Sequence, residues 1–305
     1  MAGESTPALQ VQGLTKIYGD RRVVNDVSFE LGRGEVFGFL GPNGSGKTTT
    51  MRMALDLIKP DAGSVSMLGF APDRGVLRRV GYLPEERGLF QRARVLDVLR
   101  YLGRLKGLDS TTAEARASEM MARVGLANHL AAKVQSLSRG MTQLVQFAGA
   151  LLHQPELVIL DEPFSGLDPL NVVLMKEILR EEQARGTAII FSTHIMSDVE
   201  ELCERAVLIS DGSVLVYGPI LAMKQARGTR TVVVEADRRP DDIPGVALVD
   251  SPNGSFAYNP RGGTSSDTVL RAFLEAGIAV QKFEVALPTL NEVFIEEVQR
   301  ARHDQ

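Results

Sequence analysis

The sequence predicts an α/β fold. A parallel sheet carries a glycine-rich loop, an antiparallel β subdomain precedes it, an α-helical insertion interrupts it and a small α+β domain follows it. Three observations carry that expectation. An apolar run, Glu35-Val36-Phe37-Gly38-Phe39-Leu40, enters Gly41-Pro42-Asn43-Gly44-Ser45-Gly46-Lys47-Thr48-Thr49, and a helical pattern follows. A second apolar run, Leu157-Val158-Ile159-Leu160, ends in Asp161-Glu162. A third, Ala188-Ile189-Ile190-Phe191, ends in Ser192-Thr193-His194. Continuous apolar runs of this length suit strands buried on both faces of a parallel sheet.

At 305 residues the chain is long enough for one large domain and a smaller one. A net charge of -4 argues against a generally basic surface, so no nucleic-acid partner is expected. The single cysteine, Cys203, rules out an intrachain disulfide and reads as a buried small apolar residue. No run approaches the roughly 18 apolar residues of a membrane span. The start, Met1 to Pro7, lacks the basic and apolar segments of a signal peptide. The chain is therefore expected to be soluble by itself and cytoplasmic.

Taken in order, residues 8–35 alternate short apolar runs with turns and read as antiparallel strands, with Tyr18 in the connection between them. Tyr18 either stacks on a nucleotide base or simply packs; the residues leave both open. In the phosphate loop, the glycines let backbone N–H groups turn toward phosphate oxygens, and the next helix adds its N-terminal partial charge. Lys47 supplies a full charge and Thr48 a hydroxyl suited to Mg²⁺. Met51, Ala54, Leu55 and Ile58 share one side of that helix. Strands follow at Val65 to Leu68 and Val80 to Leu83. The second runs into Pro84-Glu85-Glu86-Arg87-Gly88, which places Glu85 and Glu86 where a sheet delivers residues to a ligand.

Residues 93–152 turn helical. Val95, Leu99 and Leu102 share a face, Thr111 to Glu114 has capping-box spacing, and Gly125 is a stop. Leu137-Ser138-Arg139-Gly140-Met141 opens another helix through Leu151. Asp161 and Glu162 adjoin a buried strand, where acids are costly unless they meet a cation or polar partners. That position, at the carboxyl ends of sheet strands, is also where open α/β sheets bind ligands. A lone histidine is usually structural, but His194 ends a strand on the same sheet edge, which favours a functional role. Beyond a break at Arg227-Gly228, strands are expected near residues 232–234, 247–249, 255–258 and 278–287, with a helix at 268–276. A last helix starts at Thr289 with Glu292 in capping-box position.

With these motifs in place, residues 8–222 resemble the ATP-binding subunit of an ABC transporter, with a P-loop NTPase sheet of ABC ATPase type. Gly41 to Thr48 matches its Walker A loop and Leu157 to Glu162 its Walker B strand. Ser165-Gly166-Leu167-Asp168 resembles the D-loop, His194 the switch histidine and Tyr18 the base-stacking aromatic. Leu137 to Met141 stands at the Leu-Ser-Gly-Gly-Gln signature. The ending around Pro288 to Ile295 looks like that of drug and sodium exporters whose permease is a separate small membrane protein.

The resemblance implies a tail at 1–7, an ATPase domain at 8–222 with its helical subdomain near 93–152, a linker at 223–230 and an accessory α+β domain at 231–305. It implies ATP and Mg²⁺ as cofactors. ATP would meet Tyr18, Gly41, Asn43, Gly44, Ser45, Gly46, Lys47, Thr48 and Thr49 of one subunit, and Ser138, Arg139 and Gly140 of the other. Mg²⁺ would meet Thr48, Glu85 and Asp161. Glu162, His194 and Lys47 would carry hydrolysis. The partners implied are a second ABC subunit, as homodimer or heterodimer, and an integral membrane permease holding the chain at the inner face of the cell membrane. Two departures stand out: Arg139 and Met141 replace a glycine and the glutamine of the signature, and Glu85 stands where the family usually has glutamine. A soluble ABC ATPase, or a nucleotide-sensing module with little turnover, is the alternative reading.

Overall fold

The computed structural model describes residues 6–86, 88–226, 231–250, 255–260 and 264–303. The chain forms two compact units, Met1–Pro219 and Ile220–Gln305. The expected 223–230 linker overlaps a helix, and its break at Arg227-Gly228 lies outside the described residues, as do Arg87 and residues 1–5 of the expected tail.

In the first unit, β1 (Leu9–Tyr18) and β2 (Arg21–Leu31) form an antiparallel pair. Tyr18 is thus the last residue of β1, paired with Arg21, rather than part of a connection. The strand β3 (Val36–Leu40) leads to α1 (Lys47–Ala54), then β4 (Ala62–Met67), the single turn α2 (Arg74–Leu77) and β5 (Val80–Leu83). The helical segment holds α3 (Val95–Leu105), α4 (Ser110–Arg123) and α5 (Arg139–Leu151). After it come β6 (Leu157–Asp161), α6 (Pro169–Ala184), β7 (Ala188–Thr193), α7 (Met196–Leu202), β8 (Arg205–Ser210) and β9 (Ser213–Pro219). The main sheet runs β5-β6-β7-β3-β8-β9, parallel except for β9, and a second sheet runs β2-β1-β4.

Alternation along the central strands decides the core. Phe37 and Phe39 of β3, Ile159 of β6 and Ile190 of β7 face Met51 and Met53 of α1 and the apolar side of the antiparallel sheet, including Leu9, Leu14 and Phe29. Burying such side chains contributes about 1.5–3 kcal/mol each. Two expectations on helix ends need correction. The phosphate-loop helix stops at Ala54, because Asp56 turns left-handed at φ 58° and Leu55 becomes its cap. Thr111 does not cap α4. Asp109 does, its carboxylate accepting from the Thr111 and Thr112 amides and leaving Thr111 inside the first turn. Gly125, at φ 71°, ends that helix as expected.

In the second unit, α8 (Ile220–Ala226) precedes an antiparallel sheet ordered β11-β12-β10-β13. Its strands are β10 (Thr231–Ala236), β11 (Val246–Asp250), β12 (Ser255–Pro260) and β13 (Val280–Ala286). Helix α9 (Ser266–Glu275) buries Val269 and Phe273 against Val232, Val234 and Phe256. Before α10 (Leu290–His303), the capping box forms as expected: Thr289 N–H donates to Glu292 Oε2 at 2.6 Å and Glu292 N–H to Thr289 Oγ1 at 3.2 Å.

Candidate nucleotide site

The loop between β3 and α1 is glycine-rich for reasons of space. A Cβ on Gly41 would lie 2.4 Å from the Ile209 carbonyl oxygen. Gly46 sits at φ 101°, and a Cβ there would lie 2.7 Å from the Val23 carbonyl oxygen. With its backbone drawn in this tightly, the loop folds around its own lysine. Lys47 is only 5% exposed, and its ammonium donates to the carbonyls of Gly41 at 2.8 Å and Pro42 at 3.2 Å. The same Nζ lies 3.4 Å from Glu162 Oε1.

Strand β6 delivers two carboxylates that meet different surroundings. Asp161 is fully buried, and its Oδ1 accepts from Ser192 Oγ at 2.5 Å. Its Oδ2 is buried with no partner among the described residues. Burial raises the Asp161 pKa, with the charges of Glu85 and Glu162 adding to it and the Ser192 and Thr48 hydroxyls opposing. Glu162 turns left-handed at φ 49°, a strained conformation for this residue, and its N–H donates to Ser192 Oγ at 3.0 Å. That turn aims its carboxylate at His194, whose Nδ1 lies 3.1 and 3.2 Å from the two oxygens. His194 is half exposed just beyond β7. Ser192 was not singled out from sequence. Only its register opposite Asp161 on the neighbouring strand reveals it.

Of these groups, Lys47 and Glu162 line a cleft of about 170 Å³, while Asp161, Ser192 and His194 are not part of its lining. Asn43, Gly44, Gly46, Thr48 and Thr49 of the loop and helix start line it as well, together with Glu85 and Val23. Thr48 Oγ1 donates to Glu85 Oε2 at 3.3 Å, so the loop after β5 closes on the start of α1. Glu86, by contrast, points outward to Arg52. Gly41 and Ser45 of the same loop do not line the cleft; the Ser45 hydroxyl is buried without a partner among the described residues. No group of three His, Cys, Asp or Glu side chains converges as a metal cage among the described residues. The oxygens present are nonetheless hard donors: Thr48 Oγ1, Glu85 Oε2 and the unpartnered Asp161 Oδ2. They suit Mg²⁺, which keeps waters and takes one or two carboxylates beside substrate phosphates.

Four expected nucleotide-binding residues stand apart from the cleft. Tyr18 is half exposed at the end of β1, with the Lys16 ammonium 5.4 Å over its ring. Ser138 caps α5, its Oγ accepting from Met141 N–H at 3.2 Å. Arg139 is exposed as the first residue of that helix, and Gly140 lies beside Gly166 and Leu167 of the D-loop-like turn.

Residues 24–165 match the ABC transporter family model. The chain is 37% identical over 301 residues to YhaQ of Bacillus subtilis, an uncharacterized ABC transporter ATP-binding protein, covering 95% of this chain and 98% of that one. The chain belongs to the ABC transporter ATP-binding proteins. Residues 218–298 match the C-terminal domain of DrrA1-3-like ATP-binding proteins. The linearmycin resistance ATP-binding protein LnrL of Bacillus subtilis is 32% identical over 74% of this chain and 73% of its own. A solved ATP-binding subunit of an ABC transporter superposes with a TM-score of 0.68 at 32% identity, over 72% of this chain and 92% of that one. The protein is accordingly an ATPase subunit of an ABC transporter, with the α/β fold of that family. Such subunits work with membrane permease components, and no helix among the described residues is long and apolar enough to cross a membrane itself.

Proposed function

We propose that two such subunits close on ATP, and that hydrolysis reopens them to drive a separate permease that exports its substrate. The observation that carries this is the division of the site. The cleft holds Lys47, Thr48, Glu85 and Glu162, while the capped start of α5 at Ser138 lies outside it. A second copy would bring its Ser138, Arg139 and Gly140 over the first copy's cleft, offering a helix N-terminus to the γ-phosphate. LnrL, named for resistance to linearmycin, supports the outward direction of transport.

Within the cleft, Lys47 leaves its two carbonyls for the phosphates; Tyr18, outside it at the end of β1, supplies an aromatic face to the base. Bound at Thr48, Glu85 and Asp161, Mg²⁺ would neutralise phosphate charge. Glu162 polarises the attacking water, and His194, already on the Glu162 carboxylate, holds the γ-phosphate side of the site. The second unit stabilises the dimer or tunes the permease. Glu162→Gln tests the scheme. The amide keeps the shape and loses the base, so turnover should fall by about 10²–10⁴. The variant should form an ATP-dependent dimer on size exclusion. Wild-type turnover in that variant assigns the catalytic carboxylate elsewhere.

A further inference from the structure

Helix α5 carries a feature that its packing does not require. It runs inward from Ser138 and buries every residue from Thr142 to Leu151. Most of these are apolar or small, but two are glutamines three positions apart and so on one face. Gln143 is 1% exposed and Gln146 6% exposed. Each spends its amide on one loop carbonyl. Gln143 Nε2 donates to the Pro163 carbonyl at 2.9 Å, and Gln146 Nε2 to the Glu86 carbonyl at 3.2 Å. Each also leaves its Oε1 buried without a partner among the described residues. A buried amide with an unmet oxygen is costly, and apolar residues would fill the same space.

The two carbonyls explain the expense. Pro163 follows Glu162, whose left-handed backbone is strained and needs support from its surroundings. Glu86 follows Glu85, whose carboxylate meets Thr48. One rigid helix thus grips the residue after each carboxylate. We propose that Gln143 and Gln146 are positioning residues through which α5 sets Glu162 and Glu85, so that a shift at Ser138 reaches both. The inference rests on the reading that the start of α5 meets the nucleotide of a second subunit.

Gln143→Met and Gln146→Met in the full chain test it. Methionine keeps length and bulk. It removes the amide donor and the unmet oxygen together, so the effects on stability oppose each other and the thermal midpoint should stay near wild type. Gln143→Met should lower kcat about ten- to a hundredfold with the KM for ATP unchanged, the scale of a small misplacement of a reacting group. Gln146→Met should keep metal-free ATP binding. The gain in ATP affinity that Mg²⁺ brings, read by equilibrium binding, should shrink about tenfold, as for lost support behind a metal ligand. Asparagine at either position keeps the amide and shortens its reach, and should give the same split. If all four variants lower the thermal midpoint while kcat and the Mg²⁺ gain per folded molecule stay wild type, the glutamines only pack and the inference falls. The ATP-dependent dimer of Glu162→Gln is scored separately. A dimer that forms while the glutamine variants behave as wild type overturns this inference alone.

Discussion

Helix α1 begins at Lys47 inside a closed cage, whereas α5 begins at Arg139 on an open surface. Both starts offer unpaired backbone N–H groups and a partial positive charge. At α1, a left-handed Gly46 has the Val23 carbonyl close behind it, and two loop carbonyls hold the lysine ammonium. At α5, a serine hydroxyl caps one amide, and the arginine beside it is exposed. The same helix physics therefore serves a phosphate loop and, on the proposed dimer, a face that closes over it.

Lys47→Ala breaks the closed half and should have the largest effect. It removes a cation from a desolvated phosphate contact, so ATP affinity should weaken by about 2–5 kcal/mol. The fold should survive, because Lys47 lies at a loop-to-helix junction whose backbone is held by Thr50, donating to Gly46 through its N–H and hydroxyl. Titration with ATP and a circular dichroism melt check both halves of this expectation. Unchanged affinity removes the phosphate-loop assignment.

Arg139→Ala probes the open half. A planar cation at the start of α5 suits a phosphate oxygen or a partner carboxylate across the dimer. Its loss should weaken ATP-driven dimerisation by about 1.5–3 kcal/mol, the scale of a hydrogen bond to a charged group. ATP binding to the single chain should hardly change, since Arg139 lies outside the cleft lining. Sedimentation of the Glu162→Gln background with and without the change measures it. An unmoved dimerisation constant leaves Arg139 a solvated surface charge.

What the sequence showed and what it hid divide along the same line. The phosphate loop, the Asp161-Glu162 strand end and the Thr289 capping box are local patterns, and neighbours in sequence are neighbours in space. The α/β fold followed from buried strand runs whose burial needs no partner to be named. Ser192 was hidden, because its bond to Asp161 depends on the register of β6 against β7. Gln143 and Gln146 were hidden too, since a glutamine inside a helix reads as surface until its loop partners are known. At α4 the local signal misled. Thr111 had the spacing of a capping box, but Asp109, two residues earlier, offers a carboxylate to two amides at once.

The smallest expected effect sharpens the closed half. Asp161 is buried with one oxygen unpartnered, and burial foremost raises its pKa above the ordinary carboxylate value. The folded chain therefore holds this proton more tightly than the unfolded chain does. Its contribution to stability is fully present below the unfolded pKa and is lost as pH rises through the raised folded value. At neutral pH this metal-free group is thus a standing cost. Asp161→Asn removes the charge and keeps an oxygen for Ser192. In the absence of Mg²⁺ it should unfold in urea with a free energy about 1 kcal/mol higher than wild type at neutral pH, the lower end of the cost of an unmet buried polar group. Under acid, where the wild-type carboxyl is protonated in both states, the difference should close. The same variant should lose the stabilisation that MgATP gives the wild type, because the oxygen left for the cation is gone. A variant less stable than wild type at neutral pH would mean that the Asp161 charge is already compensated inside the fold. The closed half would then carry no built-in demand for a cation.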